Sequence, residues 1–267
     1  MKESPQTESV ILCEGYHDRA FWAGWLEHLG CSRPPDVGEK PGSGRVFDPW
    51  GREVNGGQYG YRSKTHKFIR IVPCRGDRKR VLREADRRLK EERQRVEQRA
   101  AESQLARLIL NVDPDVTADG TSVRTGFRFE DLQQRLRKHD SDLVEDRPGD
   151  LALFRGAVLI SLIRWEATDQ VADGLPNQQT LERLVCAALT AAYPDRGPAV
   201  KRWLDSRPDG PVAGPKEFGW SYMAGWYAEF GCEGFYRNLW LDGRVVTELK
   251  SRLAECRAWR VAEALAD

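Results

Sequence analysis

Glu14, Asp113 and Asp115 are the residues whose types and places could do chemistry. Glu14 closes the apolar run Ser9-Val-Ile-Leu-Cys13, and the two aspartates follow Ala106-Arg-Leu-Ile-Leu-Asn-Val112. A hard cation such as Mg2+ takes oxygen ligands, keeps several waters and is commonly held by one or two carboxylates. Asp113 and Asp115 are two apart, so in extended chain both side chains point the same way and can face one ion. Pro114 between them is tolerated at a strand end. If the two runs are neighbouring strands, Glu14 joins the pair. A divalent cation then removes the repulsion among three clustered carboxylates.

The elements that must position these acids are readable from pattern. Ser9–Cys13 is a short β-branched run and predicts a buried strand. A helix follows over about Asp18 to Leu29, stopped by Gly30. Phe68–Cys74 predicts a second strand, ended by Gly76. A charged segment from Asp77 to about Leu105 carries Leu82, Ala85, Leu89, Val96 and Ala100 at helical spacing, with Glu84/Arg88, Asp86/Lys90 and Glu91/Arg95 able to pair. Ala106–Val112 is the third strand. Phe129–Leu136 predicts a helix, Asp140–Asp150 a loop, and Ala157–Ile163 a fourth strand leading to Trp165-Glu166. Thr180–Ala192 predicts a helix with Thr180 as cap. Prolines break Arg196–Pro215, and Lys216–Ala228 and Arg244–Ala264 predict further helices. Strands separated by helices imply an α/β fold: a largely parallel sheet flanked by helices, with a mostly helical C-terminal part. Ligands of such sheets sit beyond the carboxyl ends of the strands, where Glu14, Asp113 and Asp115 fall.

Two segments carry a second, functional reading. Residues 32–66 form a Gly/Pro-rich insertion in which Phe47, Trp50, Tyr59 and Tyr61 are interleaved with Arg45, Arg52, Arg62 and Lys64, with Lys67 just beyond it. Local packing of the aromatics is the favoured reading, and a grip on a nucleic-acid strand is the alternative. Residues 75–99 hold eleven Lys/Arg against six Asp/Glu. Internal pairing on a solvated helix accounts for most of that charge; a basic ridge beside an anionic substrate is the alternative.

Composition narrows the classes. The 267 residues carry 42 Lys+Arg against 41 Asp+Glu, a net charge of +1, without the strong basic excess of a non-specific nucleic-acid binder. A mean hydropathy of −0.62 and the lack of a long apolar run argue against a membrane protein. The first residues have no apolar leader, and the six scattered cysteines offer neither a disulfide framework nor a zinc ribbon, so a reducing cytoplasm is expected.

Val10-Ile-Leu-Cys-Glu14-Gly15-Tyr-His-Asp18, followed by Leu110-Asn-Val-Asp113-Pro-Asp115, resembles a TOPRIM domain over about residues 8–120. That family's signature is a strand ending in Glu-Gly, an Asp three residues later, and a later strand ending in Asp-x-Asp. The Pro73-Cys-Arg-Gly76 turn also fits its layout, whereas Ala118 stands where many members have Gly. The resemblance implies Mg2+- or Mn2+-dependent phosphodiester chemistry on nucleic acid, DNA before RNA. It implies that Glu14 is a metal ligand or general acid/base and that Asp113 and Asp115 are ligands. Asp18 matches the first-motif acid, and equally suits a helix cap. The chain lacks a phosphate loop and zinc cysteines, so it looks most like small stand-alone or OLD-like bacterial TOPRIM nucleases. In that group the C-terminal part completes the site. Glu166 is then the candidate second-metal ligand, and Lys216 the contact to the scissile phosphate; a surface acid and a solvated lysine are the alternatives.

Two other functions compete with a nuclease. One is a non-catalytic or partner-activated TOPRIM module working with a separate ATPase. The other is a primase-like nucleotidyl transferase. A homodimer through Trp220, Tyr222, Trp226, Tyr227 and Phe230 is a further partner the sequence allows. Residues 1–150 are expected to form the metal-binding α/β domain, and 151–267 the strand and helices that complete it.

Overall fold

The computed structural model describes residues 7–32, 57–97, 105–114, 116–118, 127–169, 175–206, 223 and 232–267; of residues 197, 201, 232 and 233 only the backbone is described. In chain order the described elements begin with β1 (Glu8–Cys13), α1 (Tyr16–His28), β2 (Tyr59–Arg62), β3 (Phe68–Pro73), α2 (Arg78–Glu97) and β4 (Leu105–Val112). They continue with α3 (Phe129–Leu136), β5 (Val144–Arg147), β6 (Asp150–Leu153), β7 (Val158–Arg164), α4 (Leu181–Ala192) and α5 (Arg196–Asp205). The chain closes with α6 (Cys232–Leu239), α7 (Gly243–Glu255) and α8 (Ala258–Ala266).

The seven strands make one sheet in the order β2-β3-β1-β4-β7-β6-β5. Its centre is parallel, with β1 between β3 and β4, and its flanks are antiparallel: β2 on β3, and the β5-β6-β7 meander. The fold is α/β, as the alternation of strands and helices predicts. By contacts the chain forms two interleaved units. The first comprises residues 1–112, 129–163 and 261–267, and the second 113–128 and 164–260.

Every residue of β1 and β3 is buried, as expected of parallel strands covered on both faces. The crossovers explain the cover. β1 to β3 and β3 back past β1 to β4 travel in opposite directions, and right-handed connections then put α1 and α2 on opposite faces. Accordingly α1 packs on β3, β2 and β1, and α2 on β4 and β1.

α1 is buried almost all round. Ala20 to Leu26 are all buried, and Trp22 stacks on Trp25 with ring centroids 4.9 Å apart. These tryptophans are core residues, as their spacing predicts. The helix ends in a Schellman turn: Cys31 N–H donates to Leu26 O at 2.9 Å and Gly30 N–H to Glu27 O at 3.0 Å. Gly30 sits there at φ +89°, a conformation that disfavours any side chain.

Four expectations are corrected. The charged helix stops at Glu97, and Leu105 opens β4 instead of closing that helix. The stretch expected as a loop over 140–150 contains β5 and the start of β6, because Pro148-Gly149 turns a hairpin and does not merely interrupt the chain. The last predicted helix is two, α7 and α8, parted at Arg257, whose φ of 63° no helix accommodates. Arg196–Asp205 is helical despite Pro198, which falls in the first turn, where a missing N–H costs nothing. Of the expected helix over 216–228 only Met223 is described, helical and buried; the rest lies outside the described residues, as does most of the 32–66 insertion.

α2 shows where its charge goes. Glu84 pairs with Arg87 at 2.5 Å and Arg88 at 2.8 Å, Glu91 with Arg87 at 2.5 Å, and Glu97 with Arg93 at 2.6 Å. Of the three expected pairs only Glu84/Arg88 forms. Asp86 instead takes Arg135, with Lys138 Nζ at 2.9 Å and His139 Nε2 at 3.0 Å, clamping α2 to the end of α3. Burial alone raises the Asp86 pKa, but the bonds from His139, Lys138 and Arg135 outweigh it and hold the carboxyl below its ordinary value. A carboxyl depressed in the folded state contributes stability above its unfolded pKa, and that stability is lost as pH falls through the folded value. Melting temperature is therefore expected to drop as pH falls below about 4. Asp86→Asn should be less stable at pH 7 by about 1–2 kcal/mol and should show a shallower acid slope. Equal slopes in thermal melts from pH 6 to pH 3 would refute this role.

Candidate metal centre

β1 is hydrogen-bonded to both β3 and β4, with Cys13 opposite Pro73 on one side and Asn111 on the other. The chain leaves β1 toward one face of the sheet and reaches β4 by way of the other. The carboxyl ends of β1 and β4 therefore flank a topological switch point, where open α/β sheets form their ligand crevice. Glu14 is the first residue past β1, and Asp113 is the first past β4.

Glu14 is half-buried, and its position is fixed through the backbone. Cys74 N–H donates to Cys13 O at 2.8 Å, and Gly76 N–H donates to Glu14 O, so the β1–β3 ladder continues past both strands. The turn that allows this carries Arg75 at φ 61° and Gly76 at φ 73°. On the other side Gly15 caps α1, and its N–H donates to the Asp18 carboxylate at 2.9 Å. Asp18 is thus observed in its capping role, buried within the first turn, where a negative charge also suits the helix dipole.

The β4 side is held by Asn111. Its fully buried amide accepts from Trp22 Nε1 at 3.0 Å and donates to Ile163 O at 3.4 Å, joining α1, β4 and β7. Asp113 itself is buried. Just downstream the backbone is pinned within its own unit: Gln179 N–H donates to Val116 O at 2.9 Å and Ala118 N–H to Asn177 O at 2.7 Å.

Two thiols report the electrostatics of this edge. Burial pushes the Cys13 thiol well above its ordinary value, with Asp18 and Cys74 adding to the effect and Arg19 opposing it. Burial pushes Cys74 up to about 12; Glu84 and Glu14 raise it, while Arg88 and Arg80 lower it. Both sulfurs are neutral, inert core groups, as their apolar settings predict. Glu84, Arg88, Glu14 and Arg80 all act on the Cys74 thiol at the carboxyl end of β3.

Around that point the basic residues differ from those further along α2. Arg75, Lys79, Arg80 and Arg83 are exposed, and none makes an ion pair among the described residues. Asp77 caps the helix by accepting from Lys79 N–H at 2.8 Å. A cationic rim therefore stands at the carboxyl edge of the sheet, and the paired charges lie beyond it. Arg19 adds a cation on the α1 side. Its guanidinium lies 4.1 Å from the Tyr59 ring and 4.9 Å from the Tyr16 ring, and Nη1 donates to Gly57 O at 2.5 Å. Arg75 belongs to the 75–99 stretch whose alternative reading is a basic ridge beside an anionic substrate, whereas Arg19 was not singled out from the sequence. The Arg-Gly pair ending a strand was the available signal for Arg75; Arg19 had none.

No family model and no curated protein matches this chain. Among solved structures it resembles the hypothetical protein PH0156 from Pyrococcus horikoshii OT3, with 18% identity and a TM-score of 0.67 over 98% of this chain and 100% of that one. The two share a fold. At that identity the likeness carries nothing about activity.

The remaining predicted residues fall as follows. Asp115 and Lys216 lie outside the described residues. Glu166 follows β7 and pairs with Arg164 at 3.1 Å; Arg164 in turn donates to Phe127 O at 3.2 Å. Its charge is thus balanced within the second unit. Among the described residues no group of three or more His, Cys, Asp or Glu is arranged to hold a metal, and Asp115, the third expected ligand, is outside that set. Glu14 and Asp113 offer carboxylate oxygens, the donors that Mg2+ or Mn2+ prefers. No helix of the described residues is long and apolar enough to cross a membrane.

Proposed function

We propose that this protein hydrolyses phosphodiester bonds of nucleic acid with a divalent cation, Mg2+ or Mn2+, held by Glu14, Asp113 and Asp115. The observation that carries the reading is the strand order. Glu14 and Asp113 directly follow two adjacent parallel strands at a topological switch point, and the exposed cations Arg75, Lys79, Arg80 and Arg83 have no carboxylate partner among the described residues. Bound there, the cation would polarise a phosphate oxygen and lower the pKa of a bound water.

The chain's own residues do the rest. Arg75, Lys79, Arg80 and Arg83 hold substrate phosphates by charge, so binding weakens as salt rises. Glu14, half-exposed beside them, is placed to take a proton from the attacking water. Asp18 keeps the first turn of α1, and so the Glu14–Gly15 corner, in place. The resemblance further suggests Lys216 for the leaving oxygen, Glu166 for a second cation, and a separate ATPase or a second copy of the chain as partner.

The test is cleavage of labelled single- and double-stranded DNA and RNA with Mg2+, Mn2+ or EDTA, beside calorimetric titration of Mn2+. Metal-dependent cleavage of any of these supports the reading. A protein that neither cuts nor binds Mn2+ refutes it.

A further inference from the structure

A cleft of about 360 Å3 lies in the first unit, between the end of α2, the segment after α3 and the β6–β7 turn. It is remote from Glu14. α2 begins just past the carboxyl end of β3 and runs 20 residues, about 30 Å, toward the start of β4. β7 lies alongside β4, with Asn111 near the end of one reaching Ile163 near the end of the other. The turn before β7 therefore stands at the amino edge of the sheet, opposite the acids.

We propose that this cleft binds a nucleoside phosphate. Its cations are Arg93, Arg137 and Lys138. The Arg137 guanidinium is exposed and makes no ion pair among the described residues. Arg93 Nη1 donates to Lys138 O at 3.4 Å, tying α2 to the segment after α3 at the cleft wall.

The acids in the wall are already committed. Glu97 accepts from Arg93 Nε at 2.6 Å. The Asp140 carboxylate accepts two backbone N–H groups, from Asp142 at 3.0 Å and Phe154 at 2.5 Å. With Arg93 paired to Glu97 and Lys138 to Asp86, the Arg137 guanidinium remains to meet a phosphate.

The apolar part suits a base. Val96 was expected in the buried stripe of α2, but it is 39% exposed and lines the cleft. Phe154 lines it from the turn, at φ 53°, followed by Arg155 at φ 59°. Glycine or asparagine is the unstrained choice for such a turn. A phenylalanine held there, with its N–H locked by Asp140, presents a ring on which a base can stack. The volume lies in the range of small-ligand pockets and admits one nucleoside phosphate.

The test is calorimetric titration of the full chain with AMP, GMP, adenosine and inorganic phosphate, in EDTA so that no cation at Glu14 contributes. AMP or GMP is expected to bind at least about tenfold more tightly than phosphate or adenosine. Arg137→Ala should weaken nucleotide binding about tenfold. Phe154→Ala should bring nucleotide affinity down to that of phosphate, while Glu14→Ala should change nothing here. Thermal melts confirm that each variant folds, and Arg137→Lys, which keeps charge but loses the fork, serves as a second variant with partial loss. No nucleotide binding by the wild type overturns the proposal. So does equal affinity for phosphate and nucleotide, or binding that Arg137→Ala and Phe154→Ala leave unchanged. Cleavage activity is not read, so this proposal and the nuclease reading fail separately.

Discussion

Glu14→Gln and Asp113→Asn are each expected to lower metal-dependent cleavage by roughly 10²–10⁴-fold, with thermal melts checking that each variant folds. Both substitutions keep side-chain size and remove the charge a cation needs. At Glu14 the backbone is held by Gly76 N–H on Glu14 O, a bond that the substitution leaves in place. Calorimetry separates the roles: a ligand variant loses Mn2+ affinity, and a pure proton carrier keeps it. Glu166→Gln is the informative companion. Its carboxylate is paired with Arg164 at 3.1 Å, and a loss as large as that at Glu14 would move it into the metal centre. Full activity in both Glu14→Gln and Asp113→Asn would end the nuclease reading of this crevice.

Asn111→Leu is expected to destabilise the protein by about 2–3 kcal/mol, lowering the melting temperature by roughly 4–10 °C. Leucine fills nearly the same volume, so the cost is polar. The substitution leaves the Trp22 indole N–H without its partner in a fully buried place and removes the bond to Ile163 O. Trp22→Phe removes the donor instead. In the double variant the two losses should overlap, giving a coupling of about 1–2 kcal/mol. Strict additivity in denaturant melts would show that the bond does not hold α1 to β4. Because Asn111 lies opposite Cys13, just before Asp113, the same variant should also reduce cleavage, through displaced strand ends.

Much of the fold was legible because it rests on local pattern. The β-branched runs 9–13 and 106–112 read as buried strands because both faces of β1, and most of β4, are covered. Thr180 read as a cap, and its hydroxyl accepts from Arg183 N–H at 3.3 Å. Two elements stayed hidden. The β5–β6 hairpin is polar and exposed along β5, so no alternation marks it. Val96 sits at the right spacing for the core but is 39% exposed.

The acids show the same division. Their spacing, and the strands they follow, follow from chain chemistry alone: carboxylates directly after apolar runs, two apart where extended geometry aligns them. Sequence also determined that the charge of α2 would be largely internal, since oppositely charged residues stand three and four apart. Only the tertiary structure decided that β1 lies between β3 and β4, because strand order comes from crossovers through space and not from neighbours in the chain. It alone selected which of the basic residues stay unpaired. Asp86 was free by pattern to take Lys90 but lies against the end of α3, where Arg135, Lys138 and His139 claim it. Arg75, Lys79, Arg80 and Arg83 meet no such partner among the described residues and are left exposed at the start of α2 and the turn before it. A charge's partner is set by distance in three dimensions, and sequence spacing fixes that distance only within a single helix.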